Sequence, residues 1–453
     1  MEVLNIIIDT LFSFKAYVML PVIILVIALA VRMKPGPAFL AALRLGVGFA
    51  GVFLVFDFFV GTIQPAVEAI VLHWNLDFTV LDVGWPPLAA ITWSSPIAPL
   101  SIPLIIGINV LLIALNQTKT VYIDIFNYWH IALIGALVSG LTGQIALGLG
   151  ASALLAVYVI KMSDYTAPHV EENTSHKGVT ISPLSVTGLL PFAVLMDTLY
   201  DRIPGLKKWE INPEKQGGKM GILADPMMTG LIMGFLLGLA AGYSLKLLLE
   251  TGVHIAAVMF LLPKCGELIG EGIHPVSSAL KDRIKKRFPK KTELYVAMDT
   301  GILMNNKSVM INGLLLMPAA LIIALILPGN RVLPLGDLPN LISVMSVIVL
   351  VSRGNILRSI ITGLPIIATY LLISSAMAPL YTELSAEAGM TFAPGVEITA
   401  FTDGGNQVRF FLYHLFQLKL WTLASLPFIG AMIYLARKRA QKQTISNQNG
   451  PES

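Results

Sequence analysis

The sequence is poor in charge and almost without cysteine. Of its 453 residues only 13% are charged, against ~25% in an ordinary globular chain, so most of its surface must face something other than water. The single cysteine, Cys265, excludes an intrachain disulfide and any multi-cysteine metal or iron–sulfur site built from this chain alone. A net charge of +4 is too small to point to nucleic acid. There is no phosphate-binding glycine loop, so coupling to ATP would need another subunit. What the chain does have is apolar surface: 55% of residues are hydrophobic and the mean hydropathy is +0.75. It also has 38 glycines and 27 prolines, several of each inside the apolar runs, which suits membrane helices that are kinked, broken or re-entrant around a polar cavity. Pumps and carriers have this composition.

The apolar runs are 16–32, 39–63, 102–115, 131–141, 145–160, 229–249, 253–269, 309–327, 341–351, 356–377 and 420–436. They predict an all-α polytopic membrane protein of about eleven segments, several of them shorter than the ~20 residues that span hydrocarbon. The first fourteen residues carry Glu2 and Asp9 and no basic leading region, so the first run reads as a retained membrane segment. Arg32, Lys34, Lys119, Lys161 and Arg437-Lys438-Arg439 follow alternate runs. By the positive-inside rule this puts the N-terminus outside and the C-terminus in the cytoplasm. The same orientation keeps 162–219 cytoplasmic, with Lys207, Lys208, Lys215 and Lys219, if 183–199 lies in the interface or dips in and returns. The basic block from Lys281 to Lys291 is then cytoplasmic too, as a topogenic anchor, a lipid-facing patch or a dock for an acidic partner.

An internal echo organises the chain. Asp82, Pro103 and Asp124 are evenly spaced, and Asp299, Pro318 and Asp337 recur in the same order at nearly the same interval. Asp124-Ile125-Phe126-Asn127 and Asp337-Leu338-Pro339-Asn340 each precede an apolar run. With an odd number of segments per unit, about five, the second unit starts on the opposite side of the membrane, which gives two inverted five-segment repeats. The expected units are a first membrane repeat, 1–161; a cytoplasmic or interfacial connection, 162–226; a second repeat, 227–378; an extracytoplasmic or re-entrant segment, 379–418; a last transmembrane helix, 419–436; and a disordered cytoplasmic tail, 437–453.

A polar solute crossing a bilayer needs groups that replace its water. Asp82-Val83-Gly84-Trp85-Pro86-Pro87, continuing to Thr92-Trp93-Ser94-Ser95-Pro96, offers an acid and indoles in a broken helix, as a re-entrant hairpin or as an extracytoplasmic loop with interfacial tryptophans. In Asp124-Ile125-Phe126-Asn127-Tyr128-Trp129-His130 the spacing puts Asn127 and His130 on one helix face, with Asp124 read as a helix cap. Met298-Asp299-Thr300-Gly301 through Asn305-Asn306-Lys307-Ser308 provides Asp299, either a ligand or a loop partner of Lys307. Phe401-Thr402-Asp403-Gly404-Gly405-Asn406 is a turn sequence whose Asp and two Gly can expose backbone amides, either as an ordinary extracytoplasmic turn or as a segment that closes the site. Arg353 and Arg358 stand at a cytoplasmic helix start, as topogenic charges or as groups that neutralise a phosphate leaving on that side, Glu267 and Glu271 read as structural, and Cys265 is placed at a membrane helix end. Leu335-Gly336-Asp337 faintly matches an intramembrane protease motif that requires a second, facing aspartate. No metal or cofactor site is indicated.

Taken together, Asp82-Val83-Gly84-Trp85-Pro86, Thr92-Trp93, Asp124 to His130, Leu327 to Leu338 and Arg353-Gly354-Asn355 resemble the IIC membrane subunit of the galactitol-type phosphotransferase system (PTS), over nearly the whole chain. The resemblance implies a bacterial inner-membrane homodimer of the ascorbate–galactitol superfamily, with a scaffold domain at the dimer interface and a mobile core that carries substrate across as an elevator. It implies that galactitol or a related polyol or sugar is bound outside and presented inside to a separate phosphorylated IIB subunit. There the IIB phosphocysteine performs the phosphoryl transfer, supplied through IIA. It also implies substrate-binding roles for Asp82, Trp85, Asn127, His130 and Asp299, and no catalytic residue in this chain. Segments 162–183, with His169, Glu171, Glu172, His176 and Lys177, and 300–309 depart from the family pattern. The competing reading is a proton- or sodium-coupled symporter of a small polar solute, in which Asp82 and Asp299 bind the coupling ion; a membrane enzyme lacks a catalytic constellation.

Overall fold

A computed structural model describes residues 16–74, 78–174, 178–205, 211–212, 226–287, 294–303, 306–338, 340–390, 392 and 395–449. The expectations for Glu2, Asp9, His176, Lys177, Lys207, Lys208, Lys215, Lys219, Asn305, Lys290 and Lys291, and for the side chains of Glu267, Lys281 and Lys285, fall outside what is described.

The first half of the chain runs α1 (Ala16–Ala30), α2 (Pro35–Trp74), β1 (Val80–Asp82), α3 (Pro86–Ser94), α4 (Ile97–Ala114), β2 (Thr120–Val121), a 3₁₀ turn (Ile125–Asn127), α5 (Tyr128–Thr142), α6 (Ile145–Asn173), β3 (Val179–Ile181), α7 (Leu184–Thr187) and α8 (Leu190–Tyr200). The second half follows nearly the same order, with a 3₁₀ turn in the place of α3 and a short helix in the place of the first 3₁₀ turn. It has α9 (Pro226–Ala240), α10 (Leu245–Arg287), β4 (Tyr295–Met298), a 3₁₀ turn (Thr300–Leu303), α11 (Lys307–Ile326), β5 (Val332–Leu333), α12 (Asn340–Val344), α13 (Ser346–Val351), α14 (Ile356–Glu387), β6 (Glu397–Thr399), α15 (Phe401–Gly404) and α16 (Gln407–Phe416). A final helix, α17 (Leu420–Asn449), has no counterpart among the described residues.

Local chemistry sets many of these boundaries. Asn306, Asn355 and Asn406 cap α11, α14 and α16, each accepting the backbone N–H three residues on. Gly143, at φ 66°, ends α5 in the left-handed conformation. Gly242, at φ 70°, splits the apolar run 229–249, which is therefore two helices meeting at a turn and not one crossing. The run 341–351 is likewise two short helices, α12 and α13. Cys265 lies within α10, its Sγ against Gly51, and not at a helix end. Beyond the last apolar run, α17 continues as helix through Arg437-Lys438-Arg439.

Six helical stretches among the described residues are long and apolar enough to cross a membrane: Ile97–Ala114, Ile125–Thr142, Ile145–Asn173, Lys307–Ile326, Ile356–Glu387 and Leu420–Ile445. The long helices α2 and α10 pack along each other, flanked by α1 and α9. They approach closely because glycine permits it: a Cβ on Gly272 would sit 2.6 Å from the Ala41 carbonyl oxygen. Two large apolar clusters are buried: one around Trp93, Tyr122, Tyr128 and Ile134, which also takes in Ile24 of α1, Leu45 and Phe49 of α2 and Ile269 of α10, and one around Met317, Leu341, Tyr370 and Phe401.

Six short strands among the described residues interrupt the helices, and their pairing joins the halves. In one sheet β1 lies between β5 and β6; in the other β4 lies between β2 and β3. All four pairings are parallel, with Leu81 opposite Leu333 and Ile398, and Val296 opposite Val121 and Val179. Each half thus donates one strand to the sheet formed mainly by the other.

Candidate functional site

The strand exchange brings the echoing aspartates together crosswise. At the end of β1, Asp82 is fully buried, and its Oδ2 accepts the backbone N–H of Asp337 at 2.9 Å. Its Oδ1 accepts the backbone N–H groups of Phe401 (2.9 Å) and Gly84 (3.2 Å). Gly336 lies so close that a Cβ there would collide with the Asp82 carbonyl. Asp337 in turn accepts the backbone N–H of Thr402 at 3.0 Å and the Thr402 hydroxyl. The facing aspartate of the protease motif therefore exists, but these two carboxylates are taken up by structural donors.

The second sheet carries the matching pair. Asp299 follows β4, and its Oδ1 accepts the backbone N–H of Gly301 at 3.1 Å, the same two-residue turn that Asp82 makes with Gly84. Its Oδ2 accepts Asn127 Nδ2 at 3.0 Å. Asn127 also donates to Asp124 Oδ2 at 2.8 Å, and Ser182 Oγ donates to that oxygen at 2.6 Å. Asp124 thus does not act as a side-chain cap of the following turn; its carboxylate is spent on the cluster. Burial, and next the neighbouring Asp299, push the Asp124 carboxyl up to about 6, while Ser182 and Asn127 pull it down. The two clusters differ in access: Asp82 is sealed, whereas Asp299 is exposed and Asp124 half-buried.

Aromatic rings form the wall between them. Trp85, half-buried ahead of α3, lies 6.1 Å from Trp129 and 6.0 Å from Phe126, centroid to centroid. Trp129 stacks on His130 at 3.9 Å. His130 does not join Asn127, despite their spacing: the turn at Asn127 sends the amide to Asp299, while His130 Nδ1 lies 3.5 Å from Asp403 Oδ1 and 3.5 Å from Arg409 Nη2. Arg409 also donates to the Asp403 carbonyl and covers Trp129, 5.9 Å from the ring centroid.

Asp403 lies in the segment weighed as a turn or as closing the site, and Arg409 is a functional candidate that sequence reasoning missed. The segment is the buried helix α15, with Asp403 2% exposed, followed by α16, in which Arg409 is 1% exposed. Asp403 Oδ1 and Arg409 Nε have no hydrogen-bond partner among the described residues. Buried polar groups left unspent cost about 1–3 kcal/mol each, so they mark a place where function competes with stability. The available signal was one arginine in the apolar run Val408-Arg409-Phe410-Phe411. Among the described residues no group of His, Cys, Asp and Glu could hold a metal ion.

Comparison with known proteins identifies the family. Residues 10–395 match the model of EIIC-GAT, the PTS system sugar-specific permease component. The chain is 33% identical over 399 residues to the galactitol-specific EIIC component of Escherichia coli K12, covering 88% of each. The protein of the same name in Escherichia coli O157:H7 matches to the same extent. A putative permease IIC component of Escherichia coli K12 is 32% identical over 426 residues, covering 94% of this chain and 95% of that one. Helices of membrane-spanning length within a permease sequence make this a multi-pass membrane protein. The chain belongs to the EIIC-GAT family of PTS sugar-specific permease components.

Proposed function

We propose that this permease takes galactitol or a closely related polyol or sugar, and that the accessible Asp124–Asn127–Asp299 cluster beside Trp85 is where it binds. The observation that carries this reading is the pair of carboxylates held by one asparagine, with Asp299 open to solvent. Such acceptors favour a ligand rich in hydroxyl donors, and the Trp85 indole suits the C–H face of a carbon chain. Of the five residues carried over by resemblance, Asp299, Asn127 and Trp85 contact the ligand. Asp82 and His130 hold the walls, through Asp337 and through Asp403 with Arg409. The galactitol-specific names of two relatives support the substrate.

The transport architecture is a further part of the proposal. Two inverted repeats, 1–161 and 227–378, are joined by 162–226, followed by 379–418, the last transmembrane helix and the C-terminal residues. The recurrence of element order and the crosswise strands support two units but widen them to 16–200 and 226–416, since β3, α7 and α8 recur as β6, α15 and α16, without fixing the number of crossings. The α1–α2–α9–α10 group acts as scaffold of a homodimer and the rest as the moving core. The N-terminus lies outside and the C-terminus inside, where phosphorylated IIB, recharged by IIA, phosphorylates the substrate.

Inverted membrane vesicles supplied with IIA, IIB, the general PTS components and phosphoenolpyruvate should form labelled galactitol phosphate only when this chain and IIB are both present. Free galactitol as the sole product would favour the ion-coupled symporter. In the same vesicles Asp299→Ala should weaken galactitol binding about 10- to 100-fold, as expected for a charge-assisted hydrogen bond of about 1.5–3 kcal/mol. Unchanged affinity in equilibrium binding would remove Asp299 from the site.

A further inference from the structure

The C-terminal end of α10 carries a feature that translocation does not use. Arg283, Lys286 and Arg287 are three and four residues apart, so they share one helix face. Among the described residues they alone line a concavity of about 510 Å³. Arg283 is anchored by its Nε, which donates to the Val31 carbonyl at 3.0 Å at the end of α1. Lys286 and Arg287 are exposed, and no acidic side chain among the described residues pairs with any of the three. The negative end of the helix dipole favours cations here, but like charges at this spacing repel one another. An anion in the concavity would relieve that repulsion.

The position of the concavity indicates which anion. The antiparallel packing of α10 on α2 sets Gly272 against Ala41 and Leu45 and brings Arg283 level with the α1–α2 turn. Exposed Arg32 and Lys34 flank this turn. Immediately beyond it α2 exposes Phe39, Leu40, Leu43 and Val47. Cations at a helix end next to outward-facing apolar side chains match a molecule with a phosphate head and hydrocarbon tails. We propose that this concavity is a binding site for an anionic phospholipid, with Lys286 and Arg287 on the phosphate and Arg283 held in place by Val31. Because α10 packs directly on α2 within the four-helix group, an occupied site ties that group to the lipid leaflet on this side.

The test uses the full-length protein purified in mild detergent, with phosphatidylglycerol or phosphatidylcholine added and the bound lipid counted by native mass spectrometry. Lys286→Gln with Arg287→Gln leaves the Arg283–Val31 bond in place. At about a factor of five per cation, the double variant should bind phosphatidylglycerol roughly 25-fold more weakly, with phosphatidylcholine binding unchanged. Equal phosphatidylglycerol binding by parent and double variant would overturn the proposal. So would displacement of the lipid by millimolar inorganic phosphate, which would assign the site to free phosphate. A double variant that changes oligomeric state while retaining the lipid would assign the face to a second copy. Should the double variant fail to fold, Lys286→Gln alone, expected to lose about fivefold, decides by the same readout.

Discussion

Asp82→Ala is expected to abolish folded protein. The substitution leaves the backbone N–H groups of Gly84, Asp337 and Phe401 without their acceptor in a fully buried place. At about 1–3 kcal/mol for each unpaired group, the loss is comparable with the ~5–15 kcal/mol that separates folded from unfolded states. Asp82→Asn keeps one oxygen for Gly84 and Phe401 and removes a charge that faces Asp337, so it should fold with a lowered melting temperature. Fluorescence-detected size exclusion and thermal denaturation in detergent distinguish these outcomes. A monodisperse Asp82→Ala protein as stable as the parent would show that the sheet junction does not depend on this carboxylate.

The second large effect is expected at Asp197 in α8. Its buried carboxylate accepts Arg358 Nη1 of α14 at 2.7 Å and Arg439 Nη2 of α17 at 3.0 Å, tying three helices together. Asp201 also holds Arg358, at 2.9 Å, so the group that loses most in Asp197→Ala is Arg439. Breaking a buried pair by removing one partner costs about 3–5 kcal/mol, and the retained Asp201 contact places this case at the lower end. The C-terminal half of α17 should then release, and trypsin should cut at Arg437-Lys438-Arg439 faster than in the parent. Asp197→Asn keeps an acceptor and should be cut at an intermediate rate. Equal cleavage rates in all three would mean that other contacts of α17, such as Gln443 with His169 and Glu172, suffice to hold it.

The sequence exposed the membrane class, the family and the equivalence of the aspartates in the two halves, because each is written in local composition or in spacing, but not which aspartate meets which. Asp82 and Asp299 recur as equivalent turns after β1 and β4, and Asp124 and Asp337 as their cross-partners. The six strands were not legible. Two to four residues are too few for a period-two pattern, and the partners are far away in the chain. The split between Asn127 and His130 was hidden for a related reason: helical spacing places them together, but a 3₁₀ turn ends at Asn127 before α5 begins. Asp403 was misread because Asp-Gly-Gly-Asn has turn chemistry in isolation. Only packing against Tyr370 and Tyr381 makes it a buried helix, with Gly405 close against the Tyr370 carbonyl.

The exchange of strands also bears on biosynthesis. When β1 leaves the ribosome, its partners β5 and β6 have not been made, and at ~5–20 residues per second they follow on the order of tens of seconds later. Throughout that interval the nascent first half holds an unpaired strand edge and an unsatisfied Asp82 carboxylate. Its last helices can be inserted before its centre can close. The chain is thus a single folding unit despite its twofold plan: a stalled first half is a natural substrate for quality control, while two separately encoded halves would need to meet in the membrane before either became native.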